Sequence, residues 1–318
     1  MATGAEMSAG ERPAVLWLPP MPQATIERLQ RTFDAVLLED PTTLPEAPER
    51  FRGLAATVAA GASRDLLAAL PNLEIIACFG VGYDSIDVGY AREHGIPVTN
   101  TPDVLTECVA DFGMALVLAC LRRMGEGERY VRAGRWTREG AMAFGRAPRG
   151  KRLGILGLGR IGLELAKRAE VFGMQIAYHN RSRRDGVAYD YHDDAVALAR
   201  ASDVLALTCP GGQETHHLVN AEVLRALGPE GVLVNIARGS VVDEAALVQA
   251  LEDGVIGGAG LDVFEAEPEV PATLMTMENV VLQPHQASAT VETRNAMGDL
   301  MIDNLVAHFE GRGPLTPV

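Results

Sequence analysis

Lysine is nearly missing from this chain. Of its 28 basic residues only Lys151 and Lys167 are lysines, and the arginines are mostly scattered. Against 42 acidic residues this leaves a formal net charge of −14, so no broad basic face is expected. That balance argues against nucleic acid or an anionic membrane surface as a partner. Cysteine is scarce as well: Cys78, Cys108, Cys120 and Cys209 lie far apart, without metal-type spacing, in apolar stretches. This is how free thiols of a reducing compartment are placed. No apolar run approaches the roughly 18 residues of a membrane span. Residues 1–12 have neither a basic n-region nor an apolar h-region, so a cytoplasmic location is expected, with this small, polar segment disordered. There is no nucleophile-elbow pattern, which removes the usual sign of acyl transfer. His216 and His217 stand in a polar loop without cysteine or carboxylate partners at ligand spacing, so no metal site is expected. Internal repeats and low-complexity tracts are absent too.

What is present is abundant core and glycine at telling places. With 318 residues, 47% hydrophobic and 22% charged, the chain predicts two ordinary globular domains. The most informative stretch is Gly157-Leu-Gly159-Arg160-Ile161-Gly162, entered from the apolar run 153–156 and left through 163–169, whose apolar residues recur at helical spacing. Strand, glycine turn and helix make a dinucleotide-binding unit: Gly157 for the sharp turn, Gly159 for approach to a pyrophosphate, Gly162 for close packing of helix on strand. Glycines alone can be a mere turn; it is the flanking strand and helix that favour the cofactor.

Strands and helices alternate on both sides of this turn. Strands are predicted at 14–18, 35–38, 55–60 and 73–78, with helices at 24–33, 63–70 and 86–94. The fourth strand ends in the glycine-rich turn 79–84, where ligands collect in parallel sheets. A proline-bracketed segment, 96–102, reads as a hinge or crossover. After it, 104–131 reads as one long helix, so apolar at 109–121 that it is expected between domains or at a subunit contact. The segment 133–150, with Trp136, reads as irregular. Beyond the glycine turn, strands are expected at 175–178, 204–208, 231–235, 258–261 and 280–283, with helices between them and an amphipathic helix over 291–309. The fold class is α/β, with doubly wound parallel sheets.

The choice of dinucleotide is read at the end of the next strand. An NAD site wants an acid roughly 20 residues beyond the glycines, for the ribose 2′-hydroxyl. Here stands His179-Asn180-Arg181-Ser182-Arg183-Arg184, with no carboxylate before Asp185. Arg181 and Arg183 can pair with a 2′-phosphate and Ser182 can donate to it, so NADP(H) is preferred, with NAD(H) possible.

Three later strands each end in groups suited to one reaction. Ile236, Ala237 and Arg238 follow one; Asp262, Glu265 and Glu267 follow the next; His285 and Ser288 follow the last. Hydride transfer to a carbonyl creates an alkoxide, which calls for a proton donor titrating near neutrality, and His285 is suited. A carboxylate, Glu267 or Glu265, would favour and orient the imidazolium. Arg238 offers a planar fork to a substrate carboxylate. Singly each residue has a structural explanation; three at consecutive strand ends point to catalysis.

Together these segments resemble the D-isomer-specific 2-hydroxyacid dehydrogenase family, through 80–87, 156–162, 237–244, 260–268 and Pro284-His285. The resemblance implies a flavodoxin-like substrate domain, residues 1–102 plus 287–318, with a Rossmann dinucleotide-binding domain, 103–286, inserted in it and a cleft that closes on substrate. It implies His285 as acid/base with Glu267 as partner, Arg238 on the substrate carboxylate, and Val81 and Gly82 as backbone donors to the same group. Asp262 would contact the nicotinamide amide; Arg160, Ile161, Pro210, Thr215 and Ala237 match positions that touch the cofactor, and Ile236 and Ser288 are grouped with them. Asn180 stands where NAD-using members have aspartate, as in the NADP-using glyoxylate/hydroxypyruvate reductase branch, which 101–106 and 134–136 also resemble. Gly211-Gly212-Gln213 replaces the usual Leu-Thr-Pro, so that loop is expected to be looser. The expected activity is reduction of a small 2-keto acid to the D-2-hydroxy acid, in a homodimer formed through the cofactor domain. The alternatives are an NAD-using phosphoglycerate- or phosphite-type dehydrogenase, against which Arg181 and Arg183 speak, and a dinucleotide-sensing corepressor-like protein without turnover.

Overall fold

A computed structural model describes residues 12–318; the disorder expected for 1–12 lies, all but Arg12, outside the described residues. The described residues divide into two compact units, 12–105 with 289–318, and 106–288.

The first unit alternates β1 (Ala14–Trp17), α1 (Gln23–Thr32), β2 (Asp34–Leu37), β3 (Phe51–Thr57), α2 (Arg64–Ala68), β4 (Ile75–Phe79), α3 (Val88–Glu93) and β5 (Val98–Thr99). Its parallel sheet has the order β2-β1-β3-β4-β5, the flavodoxin-like winding. β1, β3 and β4 are buried almost throughout, as a sheet covered on both faces requires. Ser63 and Asp87 cap α2 and α3 by accepting from Leu66 N and Tyr90 N. β3 begins four residues earlier than its apolar pattern suggests. Gly53 interrupts that pattern because a Cβ there would come within 3.3 Å of the Phe309 ring and 3.2 Å of Val15.

The second unit opens with α4 (Thr106–Leu121), α5 (Met124–Arg132) and α6 (Arg135–Glu139). The single helix expected over 104–131 is thus two, broken where Arg123 takes a left-handed φ of 54°, and the segment expected to be irregular holds α6. α4 packs on this unit's own elements, with Gly113 so close to Ile236 that a Cβ would fall 2.7 Å from it. There follow β6 (Arg152–Leu156), α7 (Arg160–Val171), β7 (Gln175–His179), β8 (Asp190–Tyr191), α8 (Ala195–Arg200), β9 (Val204–Leu207), α9 (Ala221–Leu227), β10 (Val232–Asn235), α10 (Glu244–Glu252), β11 (Gly258–Leu261), α11 (Ala272–Thr276) and β12 (Val280–Leu282). All strands run parallel in the order β12-β11-β10-β9-β6-β7-β8. β6 lies between β7 and β9, so the winding reverses there and leaves a crevice at the carboxyl ends of these strands. The last helix, α12 (Val291–Phe309), belongs to the first unit, and Gly298 lets it lie against Thr25 of α1.

Candidate active site

The glycine turn sits at the carboxyl end of β6, where the winding reverses, and its glycines have separate reasons. Gly157 has a φ of +101°, and a Cβ there would meet Cys209 N at 2.5 Å; one on Gly162 would meet Gly157 O at 2.6 Å. Both are required by the protein's own packing. Gly159 is not: its φ is ordinary, and a Cβ would have open space around it. A glycine with no internal need fits a backbone that something else must approach. Gly159 also begins α7 without a side-chain cap, whereas Asp194, Asn220 and Asp243 cap α8, α9 and α10. The start of α7 thus has no side-chain cap of its own, the kind of helix terminus that suits an anion. Ile161 is half-buried and Arg160 exposed beside them. The residues present fit a dinucleotide.

The segment after β7 divides its work. Asn180 Oδ1 accepts from Leu158 N at 2.6 Å and Arg184 donates to Leu158 O at 2.8 Å, so these two hold the glycine turn in shape. Arg181, Ser182 and Arg183 are exposed. Arg181 is ion-paired with Glu214, which lies in the loop after β9. In that loop Thr215 donates to Pro210 O at 2.7 Å and to Gly212 O at 3.2 Å, bracing a turn that contains two glycines.

At the neighbouring strand ends, β10, β11 and β12 bring the chemistry together. His285 Nδ1 and Glu267 Oε2 are 2.8 Å apart, and Phe264 N donates to Glu267 Oε1 at 3.1 Å. Burial pushes the Glu267 carboxyl up, but its hydrogen bond to His285, that residue's charge, the Phe264 amide and the Arg238 cation outweigh it. The net result is a carboxyl below its ordinary range. Arg238 follows β10 in a turn braced by Asn235, whose side chain donates to Arg238 O at 2.9 Å and accepts from Ala237 N at 3.0 Å. Ile236 and Ala237 are buried and Ser288 is half-buried.

His285 has a φ of +54°, which costs a non-glycine residue of order 1–3 kcal/mol. Asp262 holds it there. Its carbonyl accepts from His285 N at 2.8 Å, and its carboxylate accepts from Gln286 N at 2.6 Å and Ala287 N at 2.9 Å. Burial raises the Asp262 carboxyl, opposed by those two amides. The side chain expected to contact the nicotinamide is 1% exposed, with both oxygens engaged in shaping the loop that aims His285.

Sequence spacing misses Glu214, and it misplaces Glu265. Of the two carboxylates offered to His285, Glu267 takes that place, while Glu265 Oε1 lies 2.6 Å from His217 Nε2, so the expectation that the paired histidines lack a carboxylate is corrected. With His216 they form a cluster whose ligand atoms lie within 4.8 Å of one another. The two imidazoles are stacked, however, 3.9 Å between centroids and 26° between planes. Their in-plane lone pairs therefore run side by side instead of converging on one ion. His217 N also donates to Ser240 O at 2.9 Å, so this residue ties the loop after β9 to the turns bearing Arg238 and Glu267.

In the first unit, the carbonyls of Gly80, Val81 and Gly82 are taken up by Thr101 N at 2.8 Å, Asn100 Nδ2 at 2.8 Å and Cys78 Sγ at 3.5 Å. Gly80 N is engaged as well, donating to Cys78 O at 3.1 Å, which leaves the amides of Val81 and Gly82 as the groups this stretch can offer.

A glycine turn on an uncapped helix, beside a histidine–carboxylate pair and an arginine at strand ends, defines a dinucleotide-dependent dehydrogenase. The D-isomer specific 2-hydroxyacid dehydrogenase family, through its NAD binding domain, matches residues 114–287. Glyoxylate/hydroxypyruvate reductase A of Arabidopsis thaliana is 48% identical over 308 residues, 96% of this chain and 98% of that protein. Hydroxyphenylpyruvate reductase of Plectranthus scutellarioides is 52% identical over 270 residues, covering 85% and 86%. The crystal structure of an NADPH-dependent glyoxylate/hydroxypyruvate reductase from Sinorhizobium meliloti, with NADP and malonate, superposes with a TM-score of 0.92 at 49% identity, covering 96% of this chain and 97% of that one. The chain belongs to the D-isomer specific 2-hydroxyacid dehydrogenase family.

Proposed function

We propose that this chain reduces a small 2-keto acid, of the glyoxylate or hydroxypyruvate kind, to the D-2-hydroxy acid with NADPH, NADH being a weaker alternative. The hydrogen-bonded His285–Glu267 pair at the ends of β12 and β11 carries the reading. The names of the similar reductases support it. Bound NADPH supplies the hydride. The turn Gly157–Gly162 and the start of α7 would hold its pyrophosphate, and Arg181, Ser182 and Arg183 would hold its 2′-phosphate. Arg160, Ile161, Pro210, Thr215, Ile236, Ala237 and Ser288 line its course, while Asn180 and Asp262 act by shaping the glycine turn and the His285 loop.

His285 enters the reaction as the imidazolium. Nδ1–H donates to Glu267, so Nε2–H is the proton given to the keto oxygen as the hydride arrives at the carbon; the neutral ring then regains a proton from solvent. Glu267 fixes the ring through its hydrogen bond with Nδ1. Arg238 and the amides of Val81 and Gly82 hold the substrate carboxylate, so a carboxylate next to the reacting carbonyl is required of every substrate. Initial rates over a panel of 2-keto acids with NADPH and NADH test this. Turnover with glyoxylate or hydroxypyruvate is expected, faster with NADPH; a clear preference for NADH, or no turnover with any 2-keto acid, contradicts it.

The proposed assembly is a homodimer through the second unit. Met124, Val131, Trp136 and Phe144 are 58%, 56%, 65% and 97% exposed within one short stretch of it, apolar side chains that a partner subunit would cover. The proposed compartment is the cytoplasm. None of the four cysteines is in a disulfide; Cys78 and Cys209 are buried, and burial pushes Cys209 up to about 11. Among the described residues no helix is long and apolar enough to cross a membrane.

A further inference from the structure

The ion pair between Arg181 and Glu214 joins the segment after β7 to the loop after β9. Because β6 lies between these strands, the pair spans the carboxyl end of β6, where the glycine turn stands. Both side chains are highly exposed, 85% and 74%, so the pair is weak and easily exchanged. Glu214 follows Gly211 and Gly212, the latter at φ +125°, in the turn that Thr215 braces from its far side. A carboxylate on Arg181 occupies the donors that a phosphate would use and repels a phosphate dianion besides. A dinucleotide without that phosphate makes no such demand.

We propose that Glu214 is a specificity-determining residue: it holds Arg181 as an internal counter-ion that the 2′-phosphate of an incoming dinucleotide displaces. Glu214 thereby lowers the preference for the phosphorylated coenzyme below what the arginines alone would set. This rests on the reading that Arg181 receives the 2′-phosphate, and the test separates the two. Dissociation constants for NADPH and NADH, read from nicotinamide fluorescence at low ionic strength, are compared for the unaltered protein, Glu214→Gln, Arg181→Gln and the double variant. Glu214→Gln is expected to tighten NADPH by about twofold to tenfold, with NADH essentially unchanged, which also shows that the site is intact. Arg181→Gln weakens NADPH more than NADH, and adding Glu214→Gln to it restores less than Glu214→Gln gains alone. If Arg181→Gln discriminates against NADPH while Glu214→Gln leaves NADPH binding equal or weaker, the counter-ion role is overturned and the NADPH reading stands. If Arg181→Gln leaves the NADPH to NADH ratio unchanged, Arg181 does not receive the phosphate, and both fall.

Discussion

Gly159 and Gly162 share one motif but answer to different forces. A methyl at 162 meets Gly157 O, Thr208 Oγ1 and Ile155 within 3.1 Å, a clash inside the protein. A methyl at 159 meets nothing of the protein within 4 Å, and in the proposed binding mode it would stand in the coenzyme's path. Gly162→Ala is therefore expected to lower stability by roughly 1–3 kcal/mol through overpacking. Gly159→Ala should change stability by about 1 kcal/mol at most, yet weaken NADPH binding by about tenfold or more, since the anion loses close contact with the α7 amides. Urea unfolding and coenzyme titration of both variants check this; equal stability losses, or unimpaired binding in Gly159→Ala, would contradict it. At this scale the sequence was legible where one residue type has one reason, as with His285, Glu267 and Arg238, each just beyond a strand. It was not legible where a role depends on a partner far along the chain. Glu214 reaches Arg181 across 33 positions, Glu265 reaches His217 across 48, and Asp262 caps the His285 loop across 24. No spacing rule links such residues, because only the winding of the sheet makes them neighbours.

Among the elements, the buried strands of the second sheet were the most readable. β6, β9, β10 and β11 are short, continuous apolar runs between turn residues, and both faces of each are covered. The errors fall where local pattern and tertiary need part. β3 carries Arg52 and Gly53 at its start because Phe309 of α12 lies over them, with the Arg52 guanidinium 5.2 Å from its ring centre. The break between α4 and α5 hides in an unbroken helical period, since Arg123 turns left-handed without a glycine to announce it. α4 is apolar where it packs against α7, β10 and β11, partners that its own periodicity does not name. The two-residue β8 and the single-turn α11 are too short to leave a pattern.

For the whole molecule, the two sheet orders follow from alternating strands and helices, and the return of α12 to the first unit makes the second an insertion. What the alternation does not encode is assembly. If the apolar stretch of Met124, Val131, Trp136 and Phe144 is a subunit contact, light scattering after gel filtration should give twice the 33.9 kDa chain mass, and Phe144→Ser with Trp136→Ser should move it toward one. A monomeric unaltered protein contradicts the dimer. The central claim is that His285, held by Glu267, gives the proton while NADPH drives reduction. Its most direct measurement is kcat for glyoxylate or hydroxypyruvate, whichever turns over, in His285→Ala, with NADPH affinity measured alongside. The prediction is a fall of about 10²–10⁴-fold in kcat with the NADPH dissociation constant essentially unchanged. A variant that keeps kcat near that of the unaltered protein would contradict it.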